Sequence, residues 1–107
     1  MLKLLDREQF FKEFSIDDEY FESTGLDWNE LEKIYEDYLN LVPQLEKEAE
    51  YIVSKLIDLS SAHSVRRRVK KPKHLIEKII RKGKKYVDRG ISVDTYKEIV
   101  TDLIGIR

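Results

Sequence analysis

Apolar residues recur every three or four positions over much of the first 60 residues, and that spacing predicts helices. The clearest run is Leu31, Ile34, Tyr38, Leu41, Leu45, Ala49, Ile52, Leu56 and Leu59, a single stripe predicting one long helix from Asp27 to about Ser60. Asp27 followed by Glu30 reads as a capping-box variant at its start, and Pro43 is expected to kink or divide it. Ahead of it, Asp6 and Ser15 are placed to cap two short helices carrying Phe10, Phe11, Phe14, Tyr20 and Phe21 as packing residues, with Ser23-Thr24-Gly25 as the stop. Trp28 reads as a packing residue at the start of the long helix.

The pattern changes after Ser60. From Val65 to Lys71 two β-branched residues alternate with cations, predicting an extended segment with Arg66, Arg68 and Lys70 on one face. Pro72 suits the first position of a new helix, whose buried face is Leu75, Ile76, Ile79 and Ile80 and whose end is marked by Gly83. Lys84 to Ser92 reads as a basic, mobile connection with a turn at Arg89-Gly90. Asp94 is expected to cap a short helix through Val100, and Leu103 to Ile106 to form an apolar strand. No partner strand is evident for it, so truncation of a larger domain is the expectation.

Composition alters this picture in one respect. The net charge is only −1, yet residues 1–60 hold 16 Asp/Glu against 6 Lys/Arg, whereas residues 61–107 hold 14 Lys/Arg against 5 Asp/Glu. An acidic helical region (1–60) is thus joined to a basic one (61–107). The asymmetry points to an anionic partner for the basic half, or to the halves embracing each other. The acidic half argues against simple DNA coating and favours nucleotide phosphate. Cysteine is absent, so disulfides and thiolate metal sites are excluded. No apolar run approaches the roughly 20 residues of a membrane span, and a cytoplasmic location without membrane partners is expected.

Chemistry concentrates in two stretches, Arg66 to Lys78 and Asp102 to Arg107. Arg offers a planar fork and Lys a point charge, both suited to phosphate, and a carboxylate ahead of an apolar strand suits magnesium beside phosphates. His63 and His74 have no Cys or paired acid at ligand spacing, so they are not read as a metal pair.

The order Arg68-Val69-Lys70, then Lys78, then Asp102-Leu103-Ile104-Gly105-Ile106-Arg107 resembles the synthetase domain of the RelA/SpoT-type (p)ppGpp synthetases, over roughly residues 27–107. The resemblance implies an α+β domain, predominantly α in this chain, with the start of a nucleotidyltransferase-like mixed sheet. It implies ATP and GTP or GDP as substrates, Mg²⁺ as cofactor, and transfer of the β,γ-pyrophosphate of ATP to a 3′-hydroxyl. By the same resemblance Arg68, Lys70, His74 and Lys78 bind ATP and Asp102 binds the metal, with Arg66, Gly105 and Arg107 in support. His74 stands where family members often carry Ser, and the connection from Lys78 to Asp102 is longer than in compact members. The family's guanosine-binding loop and second catalytic carboxylate lie beyond the Asp102 strand. The expectation is therefore an amino-terminal fragment carrying the ATP side, inactive alone and with self-association through the unpaired strand. Two alternatives use the same residues: a small basic helical module binding nucleic acid, and a toxin-type synthetase that modifies RNA.

Overall fold

The computed structural model of the protein describes residues 5–60, 67–100 and 102–106. The elements run α1 (Arg7–Glu13), α2 (Asp18–Thr24), α3 (Trp28–Ser60), β1 (Arg67–Val69), α4 (Pro72–Lys82), α5 (Lys84–Asp88), α6 (Tyr96–Ile99) and β2 (Ile104–Ile106). The chain is predominantly helical, as the spacing predicts. Among the described residues no helix is long and apolar enough to cross a membrane.

Asp6 caps α1 by accepting from the Glu8 amide, satisfying one of the free donors of the first turn. The second cap differs from expectation. Asp17, not Ser15, accepts from the Glu19 amide, while Ser15 takes a left-handed φ of 54° that turns the chain between the helices. Gly25 ends α2 at φ 79°, a conformation that suits glycine. These pieces pack Phe10, Phe11, Phe14, Phe21 and Trp28 into one aromatic cluster with ring centroids 4.7 to 6.2 Å apart. Tyr20 is not a core residue: it is 45% exposed and donates its hydroxyl to the Arg81 carbonyl at 2.7 Å.

α3 runs through Pro43 as one helix. The proline removes the bond to the Leu39 carbonyl, and Leu39 lies at the surface, so water can satisfy the freed oxygen. The expected capping box does not form. Asp27 caps through the Asn29 amide, but Glu30 turns away and accepts from the Val93 amide at 2.8 Å. The predicted stripe is buried at Leu31, Ile34, Tyr38, Leu45 and Ala49, with Tyr35 beside it. It comes to the surface at Ile52 and Leu56. The Leu59 side chain lies outside the described residues.

α4 packs on α3 through Leu75, Ile76, Ile79 and Ile80, none more than 1% exposed, as its periodicity predicts. The connection after it is not a loop. α5 forms there and buries Tyr86, because Gly83 at φ 50° passes tightly under Thr24 and restarts the helix. Asp94 does not cap α6. Instead Thr95 Oγ1 accepts from the Ser92 amide and Ser92 Oγ accepts from the Asp94 amide, forming a small polar turn.

β2 has a partner, contrary to the expectation of an unpaired strand. It pairs antiparallel with β1, with Arg67 opposite Ile106, Arg68 opposite Gly105 and Val69 opposite Ile104. The pairing covers one edge of each strand with the other. The ribbon lies against α3.

Candidate functional site

Three of the residues singled out in the sequence meet at one point. Lys70 follows β1, Lys78 lies two turns into α4, and Asp102 precedes β2. Lys78 Nζ approaches Asp102 Oδ1 at 2.7 Å, and Lys70 Nζ approaches Asp102 Oδ2 at 3.4 Å. The lysine side chains are 19% and 15% exposed, whereas Asp102 is 52% exposed. Two largely covered ammonium groups thus face a carboxylate whose outer side is open to solvent.

The local sequence explains the convergence. Pro72 starts α4 directly after the strand, and Lys71 is held extended at φ −70°, ψ 144°, the region favoured before proline. The helix therefore starts directly after the strand and carries Lys78 to the carboxylate that Lys70 also faces. On the other side, the Lys70 amide donates to the Leu103 carbonyl at 2.8 Å, one residue beyond Asp102. The ladder between β1 and β2 thus continues to the level of the site.

Burial raises the Asp102 carboxyl pKa, but hydrogen bonding to Lys78 and the charges of Lys70 and Lys78 outweigh it and hold the group below its ordinary value. The carboxylate stays ionised at neutral pH, and the cluster carries one net positive charge.

The other expected site residues are placed differently. Arg68 is exposed on β1 opposite Gly105. His74 packs edge-on against Phe14 at 5.9 Å and lines a shallow apolar recess of about 380 Å³ with Tyr35, Leu39 and Pro72. Its contacts are with that recess and not with Asp102. Arg66 and Arg107 lie outside the described residues.

Two contributors were not legible as such in the sequence. Tyr38, read there as a member of the core stripe, donates its hydroxyl to the Lys70 carbonyl at 2.5 Å. Tyr96 donates to Asp37 Oδ2 at 2.5 Å, and its ring stands edge-on to Tyr38 at 6.4 Å. The available signal was a tyrosine in an otherwise aliphatic stripe, since a buried phenol needs a hydrogen-bond partner.

Among the described residues no three Asp, Glu, His or Cys side chains gather as a metal cage. Asp102 alone fits a magnesium ion that brings phosphate and water oxygens with it, since Mg²⁺ is commonly held by one or two carboxylates plus substrate phosphates. Compared with family profiles, curated proteins and solved structures, the chain matches none of them.

Proposed function

We propose that this chain carries the ATP-phosphate side of a RelA/SpoT-type (p)ppGpp synthetase, a GTP pyrophosphokinase. The observation that supports this most directly is the meeting of Lys70, Lys78 and Asp102, which come from separate elements and were selected by motif order alone. Two covered ammonium groups provide fixed positive charge where a polyphosphate would lie, and charge-assisted bonds to phosphate oxygens are strong in such a setting. Asp102 would hold magnesium arriving with the nucleotide; when bound, that ion would offset phosphate charge. Lys70 and Lys78 would then meet phosphate oxygens in place of the carboxylate. Arg68, exposed and two residues before Lys70 so that an extended chain places both on one face, would reach the base or the outer phosphates.

In this reading β1 and β2 belong to a nucleotidyltransferase-like mixed sheet, the acceptor is GTP or GDP, and the setting is cytoplasmic. The acceptor-side motifs are not among those in this sequence, so the chain binds ATP without completing transfer by itself. A second reading rests on the exposed cations Lys82, Lys84, Lys85 and Arg89 around α5, which would suit nucleic acid.

The deciding experiment is a calorimetric titration with Mg·ATP beside a duplex-DNA control. Saturable Mg·ATP binding that Lys78→Ala reduces at least tenfold is expected, about the loss of one charge-assisted hydrogen bond. Salt-sensitive DNA binding without nucleotide binding would overturn the synthetase reading.

A further inference from the structure

We infer that Asp37 and Tyr38, adjacent on α3, form a bracket that positions Lys70, Lys78 and Asp102 against one another, with Tyr38 as a positioning residue for the lysines. Lys70 is held by its backbone on two sides. Its amide donates to the Leu103 carbonyl at 2.8 Å, and its carbonyl accepts from the Tyr38 hydroxyl at 2.5 Å. The first bond sets the position of Lys70 along β2, next to Asp102. The second draws the Lys70–Lys71 peptide toward α3, and Lys71 is the residue that caps α4. The orientation of that peptide therefore sets the direction in which α4 leaves, and with it the place of Lys78.

The second arm of the bracket acts on the other side of the site. Tyr96 on α6 donates to Asp37, and α6 carries the chain toward Asp102. The Tyr38 and Tyr96 rings pack edge-on, so the two arms brace each other. Tyr38 and Tyr96 are both fully buried, and neither touches the side chains of the cluster through a hydrogen bond described above. Their influence on the lysines and Asp102 passes through backbone and through element placement. A buried phenol in this role costs its desolvation unless its hydrogen bond is kept, which makes the arrangement discrete rather than sliding.

The inference rests on the proposed nucleotide reading only for its ligand measurement. Tyr38→Phe removes the hydroxyl and keeps the ring, leaving the part-buried Lys70 carbonyl short of a partner. Mg·ATP affinity is expected to fall roughly fivefold to tenfold, the ratio corresponding to about one net hydrogen bond. A control variant in the aromatic cluster, Phe21→Leu, is matched for loss of thermal stability and should leave affinity unchanged. A ligand-free measurement runs in parallel: a double-mutant cycle of Lys78→Met and Asp102→Asn, measured by unfolding in the presence and absence of Tyr38→Phe. With Tyr38 intact the coupling should appear as a roughly twofold to fivefold ratio in the unfolding constant. With Tyr38→Phe it should fall to about one. Coupling that persists undiminished after Tyr38→Phe would overturn the positioning role, whatever the nucleotide result. Coupling that is lost while the intact protein binds no Mg·ATP would uphold the bracket and count against the nucleotide reading alone.

Discussion

Replacing Asp102 with Asn keeps the size of the side chain and removes the charge that the two lysines share. An exposed ion pair contributes about 0.2–1 kcal/mol, and removing one partner of a fully buried pair costs about 3–5 kcal/mol. Here the cations are largely covered while the anion is 52% exposed, so screening by solvent places the loss near the lower of these limits. The expected destabilisation is about 1–2 kcal/mol at pH 7. For a domain of this size that corresponds to a fall in Tm of roughly 5–12 °C, measurable by circular dichroism.

The dependence on pH follows from the lowered pKa of Asp102. Its stabilisation is fully present above the unfolded carboxylate value of about 3.9 and is lost as pH falls through the lower, folded value. The Tm difference between the parent chain and Asp102→Asn should therefore hold from pH 5 to 8 and close only as the pH falls below the unfolded carboxylate value. A ligand titration adds an independent sign. Without magnesium, Asp102 competes with any polyphosphate for the lysines, so Asp102→Asn should bind tripolyphosphate more tightly than the parent. With magnesium, the same substitution should weaken Mg·ATP binding. Equal Tm values at pH 7, or a parallel weakening for both ligands, would refute this account of the cluster.

Three further outcomes are expected. Burial first, and then the charge of Asp102, pushes the Tyr38 hydroxyl up to about 12, and burial with the Asp37 hydrogen bond raises Tyr96 further. Phenolate absorbance should therefore show Tyr38 and Tyr96 still largely protonated at pH 11; the stability these two groups contribute is present below pH 10 and lost as pH rises through their folded values. Gly83→Ala should destabilise by about 1–3 kcal/mol in chemical denaturation, because a Cβ there would stand 2.8 Å from Thr24 Cγ2 at a φ of 50°. Glu30→Ala should cost about 1–2 kcal/mol by leaving the Val93 amide without its acceptor, and should speed amide exchange at Val93, while Glu30→Gln should retain most of the bond.

Periodicity made the helices legible. The stripe in α3 and the buried face of α4 could be read residue by residue, because each element carries its own burial pattern. Motif order brought Lys70, Lys78 and Asp102 forward as a set, and their meeting in space is an outcome that local patterns do not contain. What the sequence concealed are the links between elements. Tyr38 reaches a carbonyl 32 residues away and Tyr96 a carboxylate 59 residues away, and neither spacing leaves a mark in any short window. Glu30 shows the same limit from the other direction. Its position satisfied a local capping rule, yet a distant amide offered a better-placed donor. The short helix α5 was missed because basic residues around glycines read as a turn, while Tyr86 found a buried place to fold against.

The ribbon of β1 and β2 has a consequence for how the basic half behaves as a unit. Residues 67 and 106 lie opposite each other, so everything between them is a loop whose neck is the strand pair and the cluster beside it. Closing so long a loop has an entropic cost that every intact neck contact helps offset. An anion gripping Lys70 on one side of the neck while its metal is held by Asp102 on the other would act as a removable cross-link. Occupancy would then be felt as slower opening of α4, α5 and α6 together, far from the phosphate itself, and their amide exchange should slow in concert as ligand is added.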